Sequence, residues 1–367
     1  MFLGSALLAL VALPRRRAVP LQLGTSLRDA GEERGPQESS LPHEGKAAER
    51  LAEREADRGR KADTPSEIPA KGWKDIALRL YREFNKDRLL LVAAGVTFYA
   101  ILALFPAIAA LVSIYGAVAD PSTINTHLNE LRGILPDGAI DIIGGQVKRL
   151  TAKSDSTLGL TAVISILISL WSANGGVKAI FDALNIAYEE EEKRSFVMLN
   201  LQSLAFTLGA LLFVVLALTG IVVVPAVLQV LGLDQKAWYI ALLRFPALLV
   251  LVVGSLAVLY RYGPSRRKPK WRWVTWGSAV AGVLWLIVSG LFSWYVANFG
   301  SYNETYGSLG AAIGFMTWIW LSTTVVLLGA ELNAEMEHQT VRDTTIGGQK
   351  PLGARQARMA DTVAASA

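Results

Sequence analysis

Six long apolar stretches, each bounded by polar or charged residues, constrain this fold more than any other feature of the sequence. In the 367-residue chain they cover 89–118, 158–181, 201–224, 238–260, 274–296 and 309–330. Each is longer than the ~20 residues that a helix needs to cross a ~30 Å hydrocarbon core, where a helix satisfies its own backbone polar groups. The pattern predicts an all-α fold, a polytopic helical membrane protein with six transmembrane helices.

The loops between these stretches alternate between rich and poor in lysine and arginine. Six basic residues lie between 261 and 272, whereas none lies between Phe299 and Ser308. The segment before residue 89, the loop at 193–194 and the C-terminal tail are also basic. Because basic loops stay on the cytoplasmic side of a membrane, the asymmetry predicts that both termini are cytoplasmic.

Four regions follow from this assignment. Residues 1–13 are a short apolar run and 14–70 are polar with mixed charge, which predicts a disordered extension over 1–70. The sequence leaves open whether these residues belong to the native translation product. Residues 71–88 place aromatic and aliphatic side chains on one helical face and basic ones on the other, which predicts an interfacial helix on anionic lipid headgroups. Residues 89–337 form the predicted six-helix domain, and 338–367 a disordered cytoplasmic tail.

The composition excludes several functions. With no cysteine, the chain has no disulfide and no thiolate site, and its three histidines, at 43, 127 and 338, form no local metal-binding motif. We find no phosphate-binding loop, dinucleotide fingerprint or nucleophile elbow. We therefore expect no catalytic residue, no metal, no cofactor and no enzymatic activity. The net charge of +5 comes from residues beside the spans, so we expect the bilayer and not nucleic acid as partner. The sequence leaves a homo-oligomer open.

Polar residues at membrane depth are the candidate functional residues, because they are costly there. They lie near the inner ends of the second and sixth spans: Asn174, Lys178, Asp182, Asn185, Glu331 and Asn333. The first three recur every four residues and so share one helix face. We expect a polar pathway open to the inside, in which Lys178 attracts a small anionic substrate. The alternative is that Lys178 extends to the interface and pairs with Asp182, and that the carboxylate of Glu331 is simply solvated.

A second candidate lies toward the opposite face. Arg244 is about six residues inside the fourth span, and Glu304 is an acid in the otherwise uncharged outer loop. A buried arginine needs an acidic partner or access to the interface. The sequence therefore predicts that Arg244 pairs with Glu304.

Several segments also carry a family resemblance. These are FYAILALFPAIAALVSIYG, LWSANGGVKAIFDALNIAYEEEEKRSF, WGSAVAGVLWLIVSGLFSWYVANFGSYNETYGSLGAAIGFMTWIWL and LLGAELNAE. In this order they resemble the YihY/BrkB family of bacterial inner-membrane proteins, over roughly Trp73 to Glu337. The resemblance implies a six-helix inner-membrane protein of a family often listed as transporters. Our interpretation is that the chain moves a small solute, ion or lipid across the inner membrane. The alternative is a non-transporting membrane scaffold or envelope-assembly factor. Some members bear a ribonuclease label, which the scattered histidines of this sequence do not support.

Overall fold

A computed structural model describes residues 41–116, 144–145, 160–230, 237–299 and 308–366. Within these ranges the secondary structure is helical, apart from turns and one isolated antiparallel bridge between Pro269 and Thr345. The main helices are α1 (Leu41–Arg54), α2 (Ala70–Lys86), α3 (Leu89–Gly116), α4 (Leu160–Ala187), α5 (Phe196–Val230), α6 (Ala237–Tyr262), α7 (Trp271–Phe299) and α8 (Ser308–His338). Short 3₁₀ segments, Ala56–Arg58 and Pro65–Glu67, join α1 to α2.

Helices α3 to α8 coincide with the six apolar stretches. Four stretches among the described residues are long and apolar enough to cross a membrane: Leu89–Ala110, Phe196–Leu216, Trp271–Asn298 and Ala312–His338. A shorter apolar helix covers Pro246–Tyr262. Large apolar side chains such as Leu91 and Leu291 remain exposed on these helices, as expected where lipid takes the place of water. The chain is an all-helical, multi-pass membrane protein.

The six long helices contact one another in a closed order. Helix α3 packs against α4 and α8, α7 against α8 and α6, and α5 against α4 and α6. One end of the bundle contains the first residues of α3 and α7 and the last residues of α4, α6 and α8. Buried residues from these five helices form one core there, among them Leu89, Leu184, Tyr260, Val274 and Ala330. We call this end the capped end, because residues 55–69, α2 and residues 338–366 cover it.

The described parts of both termini are more structured than the sequence pattern predicts. The sequence predicts disorder for 1–70 and 338–367, whereas the structure packs residues 55–70 and 338–366 onto the capped end. Arg60 is fully buried between Glu55 and the carbonyl oxygen of Gln339. Arg355 is 3% exposed and donates to the carbonyl oxygens of Val341 and Ala360, at 2.6 and 2.5 Å. Their charges are satisfied by ion pairs and carbonyls, so a polar composition does not prevent packing here.

Helix α2 lies where the amphipathic pattern predicts a helix, but its surroundings are partly different. Ile76 is fully buried, in a cluster with Trp273 of α7 and Met336 of α8. The pattern places Arg79 on the polar face, yet its side chain is buried against α8. The opposite face remains open, with Tyr81 73% exposed. Helix α2 is therefore held by protein on one side and free to contact a membrane surface on the other.

Candidate functional site

The polar face of α4 makes its closest contacts with α5. Lys178 Nζ donates to Asn200 Oδ1 at 2.6 Å and lies 5.4 Å from the ring centre of Trp171. One turn earlier on α4, the buried Asn174 accepts a 3.4 Å hydrogen bond from the hydroxyl of Thr207, and its own Nδ2 has no hydrogen-bond partner. We call the contacts of these residues the α4–α5 polar seam. It lies between two otherwise apolar helices.

The structure does not continue this seam along the whole predicted face. Asp182 is exposed, and in the described part of the chain Lys178 forms no ion pair with it. Asn185 is buried at the end of α4, where it accepts from the N–H of Ser265 at 2.7 Å and donates to Glu192 at 3.2 Å. Asn185 therefore fixes the α6–α7 loop against the end of α4.

Asn333 and Glu331 lie on α8 rather than in the seam. Asn333 Oδ1 accepts from the backbone N–H of Gly277 on α7 at 2.9 Å, and its Nδ2 donates to Val274 O at 3.4 Å. A Cβ on Gly277 would collide with the carbonyl of Gly329, so α7 and α8 can approach this closely only with glycine at the crossing. Glu331 is 1% exposed, and its Oε2 has no hydrogen-bond partner. Asn333 thus joins two helices, while Glu331 remains buried with its Oε2 unpaired.

Two further acids of α8 form buried ion pairs that the sequence reasoning missed. Glu335 accepts from Arg79 Nε at 2.5 Å. Glu337 accepts from Arg266 Nη2 at 2.6 and 2.8 Å, and its Oε2 also accepts from the Thr344 hydroxyl at 2.7 Å. The side chains of Arg266 and Glu337 are fully buried. The sequence signal was the repeat of acids in LLGAELNAEMEH, but their partners lie in α2 and in the α6–α7 loop, far away along the chain.

A basic pocket opens beside these ion pairs. It has a volume of about 640 Å³ and is lined by the α4–α5 loop, α5, the end of α6, the α6–α7 loop and the C-terminal tail. Its lining residues are Lys193, Arg194, Gln202, Arg261, Tyr262, Pro264, Ser265, Arg266, Arg267, Lys268 and Gln356. Six of them are basic, and among the described residues that line it none is acidic. The sequence reasoning noticed these charges but interpreted them as orientation signals.

The acids around the pocket are already engaged by its basic residues. Burial alone would raise the pKa of Glu192, but the hydrogen bonds from the Arg194 side chain and backbone outweigh it and lower that pKa to about 2. Glu190 accepts from Lys193 Nζ at 2.8 Å. Burial also lowers the pKa of Arg266, yet the adjacent carboxylate of Glu337 reverses this and raises it. Glu192 and Arg266 therefore keep their charges at neutral pH.

The predicted pair on the opposite face lies outside the described residues. The backbone of Arg244 belongs to α6, but neither its side chain nor Glu304 is in the described part of the chain. A metal centre finds no support in the same part, since the structure brings no three histidine or acidic side chains together there.

The comparisons with known proteins place the chain in a family. The model of the family described as virulence factor BrkB matches residues 80–352. The chain belongs to the BrkB family. It is similar to a ribonuclease-like protein of Bacillus subtilis, YfkH, with 31% identity over 66% of this chain and 88% of the relative. A UPF0761 membrane protein of Aggregatibacter aphrophilus is 26% identical over 71% of this chain and 92% of its own length. The corresponding protein of Haemophilus influenzae is 25% identical over 72% and 96%. No solved structure matches.

Proposed function

We propose that this BrkB-family chain crosses the bacterial inner membrane six times, with both termini in the cytoplasm, and moves a small solute, ion or lipid. Membership of a family whose relatives are called membrane proteins supports the location. The loop charges support the orientation, because the basic loops at 193–194 and 261–272 both lie at the capped end. In this proposal the capped end faces the cytoplasm, and the exposed Lys74 and Arg82 of α2 face anionic lipid headgroups.

The α4–α5 polar seam carries the transport proposal. A lysine inside an apolar helix is costly, and among the described residues no carboxylate within 4 Å balances the charge of Lys178. The buried amide nitrogen of Asn174 is unsatisfied in the same seam. Buried polar groups without partners suit a path that water or a small anion occupies during passage. We infer that Lys178 attracts the anion and that Asn174 contacts it further along.

One observation favours the second candidate function, a non-transporting membrane scaffold. Lys178 and Asn200 bind each other directly, as do Thr207 and Asn174, so the seam also joins α4 to α5. Interhelical hydrogen bonds of this kind stabilise membrane bundles by about 0.6 kcal/mol each on average. In the scaffold interpretation these contacts serve only that purpose. The name of the Bacillus subtilis relative is not carried into a third candidate, since the described residues bring no three histidine or acidic side chains together that could hold a metal for RNA cleavage.

Flux into sealed proteoliposomes separates the two candidates. We expect the wild-type chain to conduct an anion, a metabolite or a fluorescent lipid, and Lys178→Gln to abolish that flux while its yield of folded protein stays near normal. Asn200→Ala removes the partner of Lys178 but keeps the charge, so it is the matched control for helix joining. Full activity in Lys178→Gln, or equal loss of folded protein in both variants, would favour the scaffold.

Cysteine labelling tests the orientation on this cysteine-free chain. Ser66 and Gln349 are both exposed at the capped end, so cysteines at these positions should react only with membrane-permeant reagents in intact cells. Ser265 is unsuitable because its side chain is buried. Reaction of either exposed position with an impermeant reagent from the periplasm would contradict the proposed topology.

A further inference from the structure

The basic pocket is lined by arginines whose side chains have more hydrogen-bond donors than the protein uses. Ten buried side-chain nitrogen and oxygen atoms among the described residues lack a hydrogen-bond partner, and five of them belong to arginines that line this pocket. They are Nη1 of Arg194, Nε and Nη1 of Arg261, Nη1 of Arg266 and Nη1 of Arg267. Unpaired buried donors are rare and costly, so their concentration around one cavity indicates a missing acceptor.

Arg261 is the least compensated of these arginines. It is 8% exposed, and its guanidinium lies over the ring of Trp271 at 4.3 Å and over that of Tyr262 at 5.5 Å. Among the described residues no carboxylate lies within 4 Å of it. The aromatic contacts hold the guanidinium plane in place but offer its N–H groups no acceptor. Arg261 is therefore positioned for a ligand that the protein does not supply.

Each of the other three arginines already uses part of its guanidinium in a hydrogen bond within the protein. Arg194 donates to Glu192, Arg266 to Glu337, and Arg267 Nη2 to the carbonyl oxygen of Ile346 at 2.5 Å. Each therefore has a fixed orientation, with Nη1 left over. Lys268 adds an exposed ammonium, 4.8 Å from the ring centre of Tyr262. The pocket combines rigid guanidinium donors with one mobile positive charge.

From these contacts we propose that the basic pocket binds a negatively charged phosphate group. Five unpaired N–H donors on four planar guanidiniums match the several acceptor oxygens of a tetrahedral phosphate better than a single halide ion. The volume of about 640 Å³ exceeds what one phosphate fills, which leaves room for the rest of a headgroup. Tyr262 and Trp271 lie beside the pocket, and aromatic residues of this kind mark the headgroup level of a membrane. The phosphate belongs either to an anionic phospholipid or to a free phosphate.

This inference concerns binding and does not rest on the proposed transport. The full chain in phosphatidylcholine nanodiscs is titrated with inorganic phosphate at constant ionic strength, set with chloride, while binding is followed by calorimetry. In a second arm, native mass spectrometry measures how much phosphatidylglycerol the protein retains from mixed nanodiscs, relative to phosphatidylcholine. Saturable phosphate binding alone identifies a free ligand, and selective lipid retention alone identifies a headgroup. Competition between the two identifies one shared pocket.

Variants make the test specific to the pocket. We expect Arg261→Gln to weaken binding by about tenfold or more, because hydrogen bonds to charged groups contribute the most. Lys268→Gln should weaken it by a smaller factor, and since Lys268 is exposed this variant folds even if Arg261→Gln does not. Arg272→Gln is the matched control, an exposed arginine of the same basic segment outside the pocket. Binding that is absent in the wild type, or equal in all four proteins, would overturn the proposal.

Discussion

Replacing Arg79 by methionine tests whether the capped end is held by buried charge. Arg79 Nε is 2.5 Å from Glu335 Oε2, with side chains 8% and 1% exposed, and Arg79 Nη2 donates to Gln339 Oε1 at 2.7 Å. The substitution keeps a long side chain but leaves Glu335 with only His338, 4.0 Å away. Loss of one partner from a buried ion pair costs about 3–5 kcal/mol, since the remaining charge stays desolvated.

The same helix provides the comparison. Lys86 and Glu83 of α2 are also 2.5 Å apart, and Lys86 lies 3.3 Å from Glu189, but these side chains are 61%, 25% and 31% exposed. Solvent screens such a pair, so Lys86→Met should cost less than about 1 kcal/mol. At about 2–4 °C per kcal/mol, the melting temperature in detergent should fall by roughly 6–20 °C for Arg79→Met and by less than about 4 °C for Lys86→Met. The double variant Arg79→Met with Glu335→Met should recover part of the loss.

Equal shifts for Arg79→Met and Lys86→Met would refute this reasoning, because the two pairs differ in burial and not in distance. A double variant as unstable as the sum of its single changes would refute the direct contact between Arg79 and Glu335. Melting is measured by size-exclusion chromatography after heating, so that loss of folded protein is recorded directly.

Two further predictions concern the loop at Glu192 and the crossing of α7 with α8. The folded-state pKa of Glu192 is depressed, so its bonds to Arg194 stabilise the fold above pH ~4.5 and are lost as the pH falls toward about 2. Glu192→Gln should therefore lower the melting temperature at pH 7 but not at pH 2, while the exposed neighbour Glu191→Gln changes neither; a constant difference across this range would contradict the assignment. Gly277→Ala should destabilise the fold by about 1–3 kcal/mol through overpacking against α8. Gly290→Ala, with open space at its Cβ, should be neutral or slightly stabilising. Equal thermal stability of the two variants would argue against the close crossing.

The helical bundle could be predicted from the sequence because one physical requirement dominates it. A hydrocarbon core demands long apolar helices, and the limits of α3 to α8 follow the apolar stretches. The capped end could not be predicted in the same way. Its ion pairs join residues far apart in sequence, 256 positions in the case of Arg79 and Glu335. The sequence shows that both residues are charged, but it does not show that they pair with each other.

The candidate site was predictable only in part. Helical periodicity puts Asn174 and Lys178 on one face of α4, and in the structure both contact the same neighbour, α5. The same periodicity includes Asp182 and Asn185, which the structure separates because α5 begins only at Phe196 and the end of α4 packs against loops instead. Periodicity describes a helix face but does not show which neighbour covers each turn of it.

The basic residues of the α6–α7 loop show why orientation signals and binding sites are hard to separate by sequence. The positive-inside rule accounts for their number, but it predicts nothing about their partners. In the structure Arg266 forms an ion pair with Glu337, and Arg267 donates a hydrogen bond to a backbone carbonyl. Among the described residues, Arg261 contacts aromatic rings alone. An orientation signal needs only charge, so lysine would serve equally well at all three positions. A phosphate pocket needs the planar guanidinium fork, so Arg261→Lys should preserve membrane orientation and impair phosphate binding.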